Sequence, residues 1–265
     1  MVPGLPLVLR CVASVALLAV PAFYFAGACA QSPVSAGDSL RVLAFTKTGG
    51  FRHASIPAGV AALREIGRAM GYAVDHTEDS TRFSDSGLAD YAAVVFLSTT
   101  GDVLGPEGEA AFERYIGRGG GFVGVHAAAD TEYDWPFYRE LVGRQFVQHP
   151  EHQRGRVHPI DGGFPGATAG FGDSLTLYEE WYEYTVPYAV GLRYLMRVDT
   201  ATYRTGGWRG RDAMGVFHPL AWYHEHAGGR ASYTGLGHMG ETFALPAFRA
   251  HLRAGLRWAA TGAKD

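Results

Sequence analysis

The stretch Gly119-Gly120-Gly121-Phe122-Val123-Gly124-Val125-His126-Ala127-Ala128-Ala129-Asp130 decides how this chain folds. The three glycines follow a helix-like run and end it, because glycine enters the left-handed turn conformation readily. Phe122-Val123-Gly124-Val125 reads as a short buried strand. His126 stands where that strand runs out, with three alanines and Asp130 behind it. A strand that ends in a small-residue turn projects its next side chain above the sheet edge, as nucleophile elbows display a serine or a cysteine. Here the displayed group is an imidazole, so the machinery differs. The structural alternative for His126 is a satisfied core histidine at a strand end.

Working upstream, the same pattern recurs. Ala92-Ala93-Val94-Val95-Phe96-Leu97-Ser98 and Leu40-Arg41-Val42-Leu43-Ala44-Phe45-Thr46 are nearly continuous apolar runs, as expected of strands covered on both faces. Residues 72–76 add a shorter strand. Between them lie helical patterns. Ser55 is a candidate cap with Pro57 in the first turn of a helix that runs to Met70, where Gly71 ends it. Pro106 opens another, with Glu107 and Glu109 in the first turn, favourable to the helix dipole. A short helix is expected near residues 86–89. The order β-α-β-α-β-α-β implies an α/β fold with an open, mostly parallel sheet wound on both faces.

Downstream the pattern changes. After a short helix at residues 135–142, the segments 155–160, 174–185, 192–199, 213–217 and 231–236 read as strands between Gly/Pro turns. This half is β-rich and is expected to extend the sheet with antiparallel strands. Residues 246–260 form a closing helix with Phe248, Leu252, Leu256 and Trp258 among its apolar positions.

Of 265 residues, 47% are hydrophobic, enough for a sizeable core. The net charge of −3 gives no reason to expect nucleic acid or an anionic membrane surface as partner. Arg10 precedes an apolar run, residues 11–25, that is short for a membrane span and leads to Ala-Gly-Ala-Cys-Ala-Gln. This looks like an export signal cleaved between Ala30 and Gln31, which places the mature protein in the periplasm or outside the cell. The same stretch resembles a lipobox ending at Cys29, although Ala26 stands where leucine is usual; an uncleaved anchor is the third reading. The expected organisation is a signal peptide at 1–30, a polar linker at 31–39 and one domain at 40–262. Both cysteines, Cys11 and Cys29, fall in the signal segment. The mature domain therefore has no thiol nucleophile, thiolate ligand or disulfide. Its chemistry must use histidine, carboxylates, hydroxyls or a metal bound through N and O.

Ligands of open α/β sheets bind beyond the carboxyl ends of the strands. His53, in the loop after the first strand, falls there, as do Thr99 and Thr100 after the third and His126 and Asp130 after the fourth. Gly49-Gly50 lacks the spacing and lysine of a P-loop. The second half adds His149 in Val147-Gln148-His149-Pro150, the run Glu179-Glu180-Trp181-Tyr182, and His238 in Gly237-His238-Met239. Aromatic rings beside carboxylates and imidazoles suit a sugar, whose apolar faces the rings cover while the polar groups take its hydroxyls. Neighbours on a strand point to opposite faces, so only one of Glu179 and Glu180 enters a site, and Glu180 is favoured; the structural alternative has one of the two facing solvent and the other paired with an arginine. His152, His158, His218, His224, His226 and His251 are expected at the surface or in structural roles. His53, His126, His149 and His238 could instead hold a divalent metal such as Zn²⁺. No local HExxH motif supports that.

Taken together these pieces resemble the ThuA-like (trehalose utilisation) family. The resemblance rests on Val42-Leu43-Ala44-Phe45-Thr46-Lys47 with Phe51-Arg52-His53, on Gly121 to Ala128, and on Leu141-Val142-Gly143 with Phe146 and His149-Pro150. Further on it rests on Glu179-Glu180-Trp181-Tyr182, Pro219-Leu220-Ala221-Trp222, Gly229-Arg230, Leu236-Gly237-His238 and Arg257-Trp258-Ala259-Ala260. It implies a class I glutamine amidotransferase-like, flavodoxin-like fold in which His126 stands where amidotransferases carry their cysteine. Glutaminase activity is accordingly not expected. The family is associated with disaccharide catabolism, often beside sugar oxidoreductases that generate 3-keto-glycosides. This chain departs from it at Glu179, where the family often has Asp, and at Phe164-Pro165, where His-Pro is usual.

The expected function is that of an exported carbohydrate-processing enzyme acting on glycosides or 3-keto-disaccharides through His/Glu proton transfer. His126 is base or ligand and Glu180 the partner acid; His53, Asp130, His149, Trp181, Tyr182 and His238 bind the sugar. The alternatives are a non-catalytic sugar-binding module of the envelope and a metal-dependent hydrolase of another substrate.

Overall fold

Alternating side chains along a few short apolar strands divide the core in two, and helices cover each half. In chain order, Arg41–Phe45 forms β1, Ile56–Met70 α1, Ala73–Thr77 β2, Asp85–Leu88 α2, Tyr91–Leu97 β3, Pro106–Gly117 α3, Gly121–Val125 β4 and Pro136–Val142 α4. Then come Phe146–Gln148 (β5), Gln153–Pro159 (β6), Leu175–Glu179 (β7), Glu183–Tyr184 (β8), Arg193–Val198 (β9), His218–His226 (β10), Gly229–Thr234 (β11) and Pro246–Thr261 (α5). This computed structural model describes Met1 and residues 39–160, 163–206 and 214–264. The expected signal segment beyond Met1, both cysteines and the linker up to residue 38 lie outside the described residues. Among the described residues no helix is long and apolar enough to cross a membrane.

The main sheet has nine strands in the order β2-β1-β3-β4-β11-β10-β9-β6-β7. The pairs β1/β2, β1/β3, β3/β4 and β4/β11 are parallel. The pairs β11/β10, β10/β9, β9/β6 and β6/β7 are antiparallel. The chain thus has the α/β architecture that the alternation of elements implied, in a large mixed sheet that is parallel from β2 to β11 and antiparallel from β11 to β7. Val42, Ala44, Val95 and Leu97 point into one core with Leu63 of α1 and Leu252 and Leu256 of α5. Leu43, Phe45, Val94 and Phe96 point into the other with Phe112 of α3 and Tyr138 and Leu141 of α4. Burying both faces removes most of these side chains from water, at about 1.5–3 kcal/mol each for the large aliphatic and aromatic ones. Gly121 is required by the packing of α5 on β4, since a Cβ there would sit 2.3 Å from the Ala259 carbonyl oxygen.

The second half departs from expectation in three places. The strand anticipated at 174–185 is interrupted: β7 stops at Glu179, β8 resumes at Glu183, and β8 pairs with β5 in a separate two-stranded sheet. The strand anticipated at 213–217 is not there. Residues 214–216 are bend and turn, Phe217 belongs to no element, Ala213 lies outside the described residues, and the strand begins at His218. Pro219 hides it, because proline cannot donate to a ladder; the pairing of β10 with β9 is irregular at Pro219/Ala221, which accommodates the missing N–H. The three-residue β5 was not anticipated at all.

Candidate functional site

The carboxyl ends of β1, β3, β4 and β11 finish level with one another, as the register pairs Phe45 with Phe96, Leu97 with Val125 and Thr234 with Val125. The loops that leave this edge carry three histidines. His126 follows β4 directly, at φ +52°, a left-handed conformation uncommon for a side chain of its size. The Tyr233 hydroxyl donates to its carbonyl at 2.8 Å, and its Nδ1 lies 3.0 Å from the Gly235 carbonyl. The strand-end display read from the sequence is therefore present, held by β11 from both sides of the residue.

His53 is carried by the loop after β1. Thr100 pins that loop: its hydroxyl accepts from the Gly50 N–H at 3.1 Å and donates to the Phe51 carbonyl at 2.9 Å. Thr99 bonds Thr131 at 2.9 Å. Both threonines after β3 thus support the loops. His238 follows β11. Gly237 before it adopts φ +118°, which a residue with a Cβ resists. The Gly237 carbonyl accepts the Ser55 hydroxyl at 2.8 Å. Ser55 makes no side-chain cap on α1, contrary to expectation; its hydroxyl fastens the His238 loop instead.

Glu179 fits neither half of the structural alternative for the pair. It neither faces solvent nor meets an arginine. It is fully buried and accepts from the backbone N–H groups of Gly237 (3.3 Å) and His238 (3.2 Å) and from the Thr242 hydroxyl (2.5 Å). Glu180 turns the other way, into the cluster. Its Oε2 is 3.3 Å from His126 Nε2 and 3.0 Å from His238 Nδ1. Its Oε1 is 3.1 Å from His149 Nε2 and 2.9 Å from His152 Nε2. His126 Nε2 also lies 3.2 Å from His53 Nε2 and 3.3 Å from His238 Nδ1. One carboxylate is therefore engaged by four imidazoles, with a fifth behind them.

Electrostatics follow from this crowding. Burial alone would raise the Glu180 carboxyl, but the adjoining His126 and His238 hold it well below the usual carboxylate range. Burial, and then the neighbouring His126 and His238, push His53 down to about 3. Asp130 is raised by burial, tempered by the Tyr133 hydroxyl that donates to it at 2.6 Å.

These groups border a cavity of about 450 Å³. Phe51, Phe146 and Tyr182 are its aromatic sides; His53, His149, His152, Glu180 and His238 its polar wall; Asp130 stands at the edge. The structure thus brings His53, Asp130, His149, Glu180, Tyr182 and His238 to one cavity. His126 is fully buried behind that wall, its ring 4.3 Å from that of Tyr182 between centroids. Trp181 does not reach the cavity. It is fully buried in the core on the opposite face, its indole donating to the Gln153 carbonyl at 3.0 Å. Glu180 and Tyr182 share one face of the chain and Trp181 takes the other, as period-two alternation requires. His152, expected at the surface or in a structural role, is a member of the site. His218, His224 and His251 are structural, bonded to the Tyr182, Leu141 and Ala167 carbonyls.

The comparisons with known proteins agree with this architecture. The ThuA-like protein of Bacteroides uniformis superposes with a TM-score of 0.69 at 21% identity, over 83% of this chain and 91% of that one. The ThuA-like protein of Parabacteroides merdae gives 0.64 at 20% identity, over 85% and 91%. At such identities the likeness speaks for the fold alone. Among curated proteins no match is found. The family ThuA, described as trehalose utilisation, matches residues 41–259, which include every residue of the cluster, and the chain belongs to that family.

Proposed function

We propose that this chain is a carbohydrate-processing enzyme that acts on a glycoside, with an oxidised 3-keto-disaccharide as its substrate class, by proton transfer at the Glu180 cluster. The observation that carries this reading is one carboxylate engaged by four imidazoles on the wall of an aromatic-sided cavity. The family's link to trehalose utilisation supports a sugar substrate. Phe51, Phe146 and Tyr182 offer ring faces to a pyranose, while Asp130 and the imidazoles take its hydroxyls.

A keto group at C3 acidifies the C2 proton. An imidazole accepts that proton, the C1–O bond breaks, a C1=C2 double bond forms, and the departing oxygen takes a proton to leave as an alcohol. His149 and His152 suit the acceptor role because their side chains are 29% and 36% exposed and can exchange protons with water. Glu180 stabilises the imidazolium so formed, as a carboxylate does for a catalytic histidine. His126, with no exposed surface, then acts through Glu180 and is a positioning residue.

The order β2-β1-β3-β4 with β11 parallel beside it supports a flavodoxin-like reading of the parallel half. The left-handed His126 after β4 supports its equivalence to the elbow of class I glutamine amidotransferase-like folds. The test is turnover of a 3-keto-glycoside by purified protein against His149→Ala and Glu180→Gln, each expected to lower kcat about 100-fold or more. Tight binding of the sugar with no turnover by any of the three proteins would overturn the enzymatic reading in favour of a binding module.

A further inference from the structure

The geometry points to a site for one first-row divalent transition metal, of the Zn²⁺ class, held by His53 Nε2, His126 Nε2, His238 Nδ1 and Glu180 Oε2. It goes beyond the proton-transfer reading and stands on the arrangement of these four atoms alone. All four donor atoms lie within 4.8 Å of one another. Four of their separations are 3.2, 3.3, 3.3 and 3.0 Å. A tetrahedral ion with ligands at 2.0–2.1 Å spaces them about 3.4 Å apart. Three imidazole nitrogens and a carboxylate oxygen suit such a cation.

Hydrogen-bond bookkeeping at His126 supplies a second, independent argument. Its Nδ1 faces the Gly235 carbonyl at 3.0 Å, and a carbonyl only accepts, so Nδ1 carries the proton. Nε2 of the neutral ring is then a bare lone pair. That lone pair meets His53 Nε2, His238 Nδ1 and the Glu180 carboxylate oxygen, and the last has no proton to give. A proton bridges one pair of these atoms, whereas one cation seated between them takes a lone pair from each. A backbone carbonyl fixing the far nitrogen of an imidazole is also the outer support that metal-bound histidines receive. His53 adds geometry only: it is 4% exposed, and its Nε2 faces the cluster.

His53, Glu180 and His238 border the cavity, so an ion held there lies at the cavity wall, within reach of a sugar carbonyl or hydroxyl. Taken up as a fifth ligand, that oxygen would be polarised by the ion acting as a Lewis acid. His149 and His152, on the other carboxylate oxygen, stay outside this set.

The test is calorimetric titration of Zn²⁺ into the chelator-stripped full chain, with retained metal counted after dialysis. One equivalent is expected to bind at the cluster. His53→Ala and His238→Gln should each weaken that binding at least about tenfold, and His149→Ala by less than about threefold. Thermal unfolding of each variant without metal separates a lost ligand from a lost fold, and His238, being partly exposed, is the safer substitution. No Zn²⁺ binding by the wild-type chain, or binding that survives both His53→Ala and His238→Gln in folded protein, would overturn the site. Because the titration contains no sugar, its failure leaves the glycoside reading standing, and absence of turnover in metal-loaded protein leaves the metal site standing.

Discussion

Glu179 and Glu180 are adjacent in sequence and divided in task. Glu180 gives both oxygens to imidazoles, and Glu179 gives both to backbone and hydroxyl donors that hold the His238 loop. Their amide variants should therefore fail differently. Glu179→Gln turns an NH₂ toward donors that need an acceptor, inside a fully buried site, and should cost about 2–3 kcal/mol of stability. Glu180→Gln should lose activity with a smaller change in unfolding midpoint, because three of its four partners, His149, His152 and His238, are partly exposed imidazoles. Urea unfolding of the two proteins side by side checks this; equal midpoints would refute the division. At this scale much of the site was legible. His126, His149, Glu180 and His238 stand beside glycine, proline or strand ends, and His53 lies in the glycine-bearing loop after β1, where the local pattern marks them. His152 was not legible, because a loop has no periodicity to say which way its side chains turn. Trp181 was misassigned although alternation excluded it: placing Glu180 in the site already sends Trp181 to the opposite face.

The elements were legible where burial made them monotonous. Strands β1, β3 and β4 are apolar runs because both sheet faces are covered, and their helices carry proline at the start. Legibility failed where an element serves the site. The strand expected at 174–185 breaks at Glu180–Tyr182, because regular pairing through that stretch would commit residues that instead face the cluster and the cavity. Pro219 masked β10 for a different reason, the loss of a ladder donor that only its irregular pairing tolerates. Element packing makes its own prediction at Gly121. There the β4 backbone lies so close to α5 that an added methyl must displace the Ala259 carbonyl. Gly121→Ala should lower stability by about 1–3 kcal/mol, the usual cost of forcing a group into a filled core. Since β4 ends at His126, part of that strain should reach the cluster. An unfolding midpoint equal to the wild type would show that α5 is free to shift.

For the whole molecule, buried histidines outside the site contribute to how stability responds to pH. His218 and His251 are both buried. His218 bonds Tyr203 and the Tyr182 carbonyl, and His251 bonds the Ala167 carbonyl at 2.8 Å. Burial pushes both down to about 4, opposed in each case by the bond to a carbonyl. Their ordinary value is 6.5. Between about 4 and 6.5 the unfolded chain therefore binds protons that the folded chain refuses. Stability must fall as the pH drops through that window and be unaffected by these two groups above it. By pH 4.5 each should have cost about 2–3 kcal/mol, at 1.36 kcal/mol for each unit of separation. His251→Gln keeps a donor for the Ala167 carbonyl and removes the titration. Its unfolding free energy should drop less between pH 7 and pH 4.5 than that of the wild type, by about the share of one histidine. Denaturant midpoints at the two pH values measure the difference, and an unchanged drop would mean that His251 takes up its proton in the folded chain. This window belongs to the half of the sheet that carries β10 and to the underside of α5. The difference made by His251→Gln isolates this share from that of His53, which burial pushes down to about 3 and which also costs stability over this window.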